Sequence, residues 1–317
     1  MAPRCEPSRL VHVPSAATGA WTTRSLVNVT PPHRDDRSGV WHSQHGQDRV
    51  VSTLLASKHG GYFIDLAASE PLMHSNTRAL ERDFGWNGIC IEANPRYWDR
   101  FASWRPCCSL VGAAVATRRE ELGFHAYGPF SGMGGLIVAG ADNARRNATM
   151  RVQAVPIAEI ISRFRVPPAI DYLSLDLEGA EGLAMATFPF ATHRIAVLSV
   201  ERPKLSLQAV LEANGYRYHC TSVGQTNLSL RANDQIWVGP VPSTARLAAE
   251  VEAAAASVAT SGSTDAVHLR RRAGAKRRCD VLHARSPLAL QEWKRPGGAQ
   301  CEDYWCVRAR RRRNKSG

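Results

Sequence analysis

"GYFIDLAASEP", Gly61 to Pro71, decides the fold. Tyr62, Phe63, Ile64 and Leu66 make a short run that is apolar on both faces. It follows a Gly-Gly break and ends in Asp65 and a turn of small residues. Such a run reads as a strand buried in a parallel sheet, because a half-exposed strand would alternate apolar with polar. The build recurs downstream. "WNGICIEANP" is a second strand ending in Glu92, Asn94 and Pro95, and "CSLVGAAV" is a third. "AIDYLSLDLEG" is a fourth, ending in Asp176 and Glu178, and "RIAVLSVE" is a fifth, ending in Glu201.

Helical signals lie between these runs. Ser75 caps a stretch in which Leu80 and Phe84 recur at helical spacing. Asn94 and Pro95 open a helix through Trp104 with Tyr97, Trp98 and Phe101 as its apolar stripe. "MRVQAVPIAEIISRF" reads as a strand joined to a short helix at Pro156. "LSLQAVLEANGY" reads as a helix closed by Asn214-Gly215. "RYHCTSV" and "DQIWVGP" form a final strand pair. A Gly-rich excursion, "YGPFSGMGGLIVAG", reads as a loop or lid. The alternation predicts an α/β protein, an open and mostly parallel sheet with helices on both faces.

The chain has 317 residues and a formal charge of +12. From Val241 onward 16 Lys/Arg stand against 7 Asp/Glu, so +9 of that charge belongs to a tail containing "RRRAGAKRR" and "RARRRRNK". Nucleic acid is therefore not expected as a partner of the core. The expected division is a disordered leader over 1–40, one domain over 41–240, and an Ala-rich linker with a basic, largely disordered tail over 241–317. No run of eighteen apolar residues predicts a membrane span. The eight cysteines show no CxxC pair. Cys90 reads as a buried free thiol, vicinal Cys107 and Cys108 are not expected to bridge each other, and a reducing, cytoplasmic location follows. The Arg- and Ser-rich leader leaves an organelle as the alternative. Sequons begin at Asn28, Asn147 and Asn227 and matter only in a secreted chain.

In an open α/β sheet, ligands sit beyond the carboxyl ends of the strands. Asp65, Glu92 and Asp176 with Glu178 stand there. Glu92 follows Asp65 by 27 residues, close to the step of roughly 20 at which nucleotide-binding sheets place an acid on ribose hydroxyls. No GxGxxG follows the first strand, so nothing cradles a pyrophosphate. An acid for ribose without a phosphate loop favours a nucleoside-like cofactor such as S-adenosylmethionine. The bland alternative makes these acids solvated strand ends.

"SQHGQD" (Ser43 to Asp48), "GGYFIDLAASEP", "SNTRALERDFGWNGICIEANP" and "IDYLSLDLEGAE" together resemble the FkbM-type methyltransferase family over about residues 41–240. The resemblance implies a Rossmann-like class I sheet of seven strands, the last antiparallel, and S-adenosylmethionine as methyl donor. It implies that Asp65 and the turn with Ala67, Ser69 and Glu70 face the methionine part. Glu92 would hold the ribose hydroxyls with Asn94 beside it. Gln44, Gln47 and Asp48 would form a cofactor-side loop, and Asn76 would brace the first turn. The family often has glycine where Ala67 and Pro71 stand.

Methyl transfer from a sulfonium needs in-line positioning more than elaborate acid–base groups. A hydroxyl acceptor still benefits from a carboxylate that takes its proton. Asp176 is the first candidate and Glu178 the second. Glu181 reads as a helix-start acid favoured by the helix dipole. His45, His74 and His125 are weaker bases, and no cluster with metal spacing predicts a metal. The expected function is O-methylation of a small-molecule or sugar hydroxyl. The alternative is a catalytically silent scaffold of the same fold. Nothing in the sequence fixes the acceptor or the oligomeric state.

Overall fold

The computed structural model describes residues 9–27, 39–126, 134–223, 233–240 and 278–279. The central strands in chain order are β3 (Tyr62–Leu66), β4 (Asn87–Ile91), β5 (Cys108–Val111), β10 (Ala169–Leu175), β11 (Arg194–Glu201), β12 (Arg217–Val223) and β13 (Asn233–Val238). In space they run β12-β13-β11-β10-β3-β4-β5. β3, β4, β5, β10 and β11 pair in parallel. β13 is antiparallel to both β11 and β12. This is the expected seven-stranded sheet with its last strand reversed. Among the described residues the whole sheet has ten strands, because three short strands extend its edges, one on the β12 side and two beyond β5.

Burial on both faces explains the apolar runs. Ile64, Leu66, Ile89, Ile91, Leu173, Leu175 and Leu198 face one side. There they meet α4 (Ile157–Arg163), α5 (Glu181–Met185) and α6 (Leu205–Ala213) through residues such as Ile160, Ala184 and Leu211. Phe63, Cys90, Tyr172 and Val197 face the other side. That side is covered by α1 (Gln47–Leu54), α2 (Arg78–Phe84) and α3 (Trp98–Trp104), through Val51, Leu80, Trp98 and Phe101. Each large side chain so buried contributes about 1.5–3 kcal/mol. The strands pack so closely that a Cβ on Gly88 would stand 2.1 Å from the Phe63 carbonyl oxygen.

Ser75 and the Asn94-Pro95 start act as expected. The Ser75 hydroxyl accepts from the Arg78 N–H at 3.1 Å. Asn94 Oδ1 accepts from the Arg96 N–H at 3.1 Å and opens a 3-10 turn, Pro95–Tyr97, that runs into α3. Helix α1, over the segment read as a loop, was not expected.

Four expectations are corrected. Part of the expected disordered leader is ordered: β1 (Leu10–Pro14) and β2 (Trp21–Ser25) form a hairpin whose first strand pairs in parallel with β5. The edge of β5 would otherwise present unpaired backbone groups, and Val11 fills the space beside it, fully buried. The run "CSLVGAAV" is two strands, because β6 (Ala114–Val115) leaves the main sheet. It joins β7 (Glu120–Ala126), β8 (Gly134–Leu136) and β9 (Met150–Val155) in a second sheet of order β6-β9-β7-β8. The Gly-rich excursion thus contributes a strand, β8, and its residues 127–133 lie outside the described residues. Cys90 is no free thiol: it is disulfide-bonded to Cys108 on the adjacent strand, and Cys107 and Cys220 are disulfide-bonded as well. The reducing-compartment reading loses its premise, since disulfides persist in oxidising surroundings.

The tail over 241–317 lies outside the described residues except β14 (Arg278–Cys279), which pairs in parallel with β12. Among the described residues no helix is long and apolar enough to cross a membrane.

Candidate active site

The strand register brings the acids into one row. Leu66 pairs with Ile91 on one side and with Leu175 on the other. The next residues, Glu92, Ala67 and Asp176, therefore stand side by side beyond the carboxyl ends of β4, β3 and β10. Leu175 pairs with Val200, which places Glu201 next to Asp176, and Glu201 pairs with Asp234. The row reads Glu92, Ala67, Asp176, Glu201, Asp234. The row spans the point between β3 and β10 where chain order reverses, the place at which open sheets of this kind take ligands.

Glu92 is 5% exposed. One carboxylate oxygen accepts from the Ser69 N–H at 2.7 Å, the other from the Asn94 N–H at 2.6 Å. Burial pushes its carboxyl up to about 7, against the pull of those two donors, and the Asp65 carboxylate adds to the rise. The first turn supplies the Ser69 donor by a left-handed path: φ is 57° at Ala67 and 52° at Ser69. The glycine-type conformation is thus kept without glycine. A side chain in that region costs about 1–2 kcal/mol, while glycine forfeits roughly 0.5–1 kcal/mol of chain entropy. Ala67→Gly is therefore expected to raise unfolding stability by up to about 1 kcal/mol in urea titration. A clear loss of stability would show that the turn does not hold this conformation.

Asp65 does not stand open to a ligand. One of its oxygens accepts from the Thr77 hydroxyl at 2.6 Å, and Arg105 stands 4.0 Å away. Burial raises its carboxyl above the usual range while Arg105 pulls it down. Arg105 is fully buried and also binds Glu81 at 2.6 Å and the hydroxyls of Ser75 and Thr77. Asn76 donates to the Ser174 hydroxyl at 3.0 Å, and its Oδ1 is buried without a partner among the described residues. Glu70 is tied to its own turn through the Leu72 and Met73 N–H groups and pairs with Arg100 at 2.8 Å. Gln44 is exposed. Gln47 is buried and donates to Asp234, and Asp48 accepts from the Ser43 hydroxyl and from the N–H groups of His42 and Ser43. Asp48 thereby secures its own loop.

The other side of the row is crowded with carboxylates. Asp176, Glu178 and Glu201 offer oxygens that all lie within 4.8 Å of one another. Glu178 sits in the turn after β10 at φ 51°, outside α5. Arg202 binds it at 3.0 Å, Glu201 at 3.0 Å and Asp142 at 2.8 Å. Glu181 is the helix-start acid, as expected. One of its oxygens accepts from the Leu177 and Gly179 N–H groups and closes the turn. Burial, then the Glu201 and Asp234 carboxylates, push Asp176 well above the ordinary range. Burial, then Glu201, push Glu178 up to about 7.

Glu201 and Asp234 belong to this group and were missed as site residues. Glu201 carried the same signal as the others, an acid closing a buried strand. Asp234 carried a subtler one. It begins a reversed strand, and a reversed strand begins where its parallel neighbours end.

No curated protein matches the chain. Solved structures resemble it distantly. A precorrin-6y C5,15-methyltransferase from Geobacter metallireducens is 15% identical, with a TM-score of 0.31 over 61% of this chain and 86% of that one. A fibrillarin from Aeropyrum pernix with natively bound S-adenosyl-L-methionine is 11% identical, with a TM-score of 0.35 over 69% and 90%. At such scores the likeness carries no argument about chemistry, and the fold rests on the strand order itself. The model of the methyltransferase FkbM domain matches residues 59–218, from the first core strand to β12. With that match spanning half of its length, this chain belongs to the FkbM methyltransferase domain family.

Proposed function

We propose that the chain transfers a methyl group to a hydroxyl oxygen of a small molecule or sugar. The methyl donor is S-adenosylmethionine, the cofactor of the family. One observation carries the reading: acids from strands on both sides of the β3/β10 reversal form a single row at the carboxyl edge. The residues suit the donor. Each Glu92 oxygen accepts one backbone N–H, which leaves each a lone pair for one hydroxyl of a vicinal diol. Asn76 Oδ1, buried and unmet, is a further acceptor near the first turn.

S-adenosylmethionine supplies a methyl group already activated on a sulfonium. The chain's own residues hold and orient. Glu92, flanked by Asn94, takes the ribose hydroxyls. Ala67 and Ser69 shape the floor, and Asp65 fixes it from beneath through Thr77. Gln47 reaches the same edge through Asp234, while Glu70 and Gln44 are rim residues. Asp176 and Glu178 face the acceptor side, where they orient a hydroxyl and receive its proton. Holding the two reactants in line is the main source of rate.

Incubation with S-adenosylmethionine and a panel of hydroxyl, amine and thiol acceptors tests the reading. S-adenosylhomocysteine release with hydroxylated acceptors, lost in Asp176→Ala, is expected. Release with amines alone would overturn the oxygen assignment. Cofactor binding without turnover on any acceptor would favour the silent scaffold.

A further inference from the structure

We propose that Asp176, Glu178 and Glu201 form a binding site for a hard divalent cation of the magnesium or manganese type. Spacing along the chain did not reveal it, because the ligands come from the ends of two strands, β10 and β11, which only the sheet brings together. Three carboxylates with oxygens within 4.8 Å of one another can close on one ion, and oxygen donors of this type suit such cations.

A second observation is independent of that cluster. Asp234 is 3% exposed and Glu181 is 1% exposed. Among the described residues, Asp234 Oδ1, Glu181 Oε2 and Glu201 Oε2 are all buried without a hydrogen-bond partner. Asp234 is the register partner of Glu201 and interacts electrostatically with Asp176. A buried carboxylate oxygen with no donor is strongly unfavourable as an anion, and either a proton or a cation relieves it. Several such acids beside the three-carboxylate cluster favour a cation, which serves them together.

Among the described residues, the cations seen beside the cluster do not match its charge. Arg202 is one guanidinium set against Asp142, Glu178 and Glu201, with Asp176 and Asp234 behind them. Lys204 is turned away, donating to the carbonyl oxygens of Gly140 and Gly179. His45 interacts with Glu201, but burial lowers its basicity. Three protein carboxylates leave an octahedral ion with open positions for water or for oxygens of the acceptor. An ion there would polarise an acceptor hydroxyl and ease loss of its proton. That last role rests on the methyl-transfer reading, whereas the site itself does not.

The test uses the full chain, stripped with a chelator and titrated with Mn2+ under electron paramagnetic resonance. One bound ion per chain is expected, displaced by Mg2+. Asp176→Asn and Glu201→Gln should each weaken it by more than about tenfold. Glu121→Gln, at an exposed surface pair with Arg151, should leave it unchanged. Should the variants fail to fold, thermal melting of the unaltered protein decides. Mg2+ should raise the melting temperature, since an ion that binds the folded state alone stabilises it, and chelator should reverse the rise. No Mn2+ binding, no shift on melting, or binding equally strong in all three variants would overturn the site and leave Asp176 and Glu201 as a proton-sharing pair. S-adenosylmethionine binding is measured in parallel, so a protein that holds Mn2+ but no cofactor would sink the methyl-transfer reading and leave this one standing.

Discussion

Arg105→Ala is expected to lower the unfolding free energy by about 3–5 kcal/mol, the largest loss from any single substitution proposed for this chain. The guanidinium is fully buried and binds Glu81 at 2.6 Å, with Asp65 at 4.0 Å and the Ser75 and Thr77 hydroxyls also on it. It also lies 5.5 Å from the centre of the Phe63 ring. Removing it leaves Glu81 and Asp65 as buried charges without a counter-ion, and that penalty exceeds the worth of the pairs themselves. Urea denaturation by circular dichroism reads the loss. Arg105→Lys should recover part of it, because an ammonium keeps the charge but not the planar fork that reaches several acceptors at once. A loss below about 1 kcal/mol for the alanine variant would place this network among those that contribute specificity rather than stability. Asp65 and Thr77 hold the first turn, so cofactor affinity should fall with stability in both variants.

Glu92→Ala is expected to weaken S-adenosylmethionine binding by about 100-fold or more in isothermal titration. Two hydrogen bonds to a charged group contribute roughly 1.5–3 kcal/mol each, and 1.4 kcal/mol is tenfold in affinity. Affinity within about threefold of the unaltered protein would remove Glu92 from the ribose. The pH dependence of stability should change in the isosteric variant. Burial lifts the Glu92 carboxyl from an ordinary 4.5 to about 7. A carboxyl so raised stabilises the folded state below the lower value, and that contribution is lost as pH rises through about 7. The unaltered protein should therefore lose stability as pH rises from about 5 to about 8, and Glu92→Gln, which does not titrate, should lose less over that range while binding cofactor more weakly. A side chain retained against the interest of stability is one retained for binding.

The first-turn residues show where sequence reasoning reaches its limit. Ala67 and Pro71 stand where the family often has glycine, the residue that takes a positive φ most readily. The backbone keeps the left-handed path at Ala67 and Ser69 all the same, because Glu92 accepts the Ser69 N–H and the Ala68 N–H bonds the Ile91 carbonyl. Tertiary hydrogen bonds outweigh a local preference of a kilocalorie or two. The leader misled for the opposite reason. "LVHVP" is short and ends in a proline, which gives a weak strand signal, and it becomes a strand where the open edge of β5 offers it partners. Cys90 and Cys108, 18 residues apart, meet because β4 and β5 are neighbours.

By itself the sequence determined the core strands, most of their helices and the position of Asp65, Glu92, Asp176 and Glu201 at strand ends. These follow from apolar runs and capping residues, which are local and act over a few positions. Only the tertiary structure decided which acids meet, because strand order and register are set by pairings between residues far apart in the chain. It put Asp65 into a buried knot with Arg105, tied Glu92 to the Ser69 and Asn94 N–H groups at the carboxyl edge, and brought Asp234 from the reversed strand to Glu201 and Asp176. A carboxylate's chemistry depends on the charges and donors within a few ångströms of it, and folding alone supplies those neighbours.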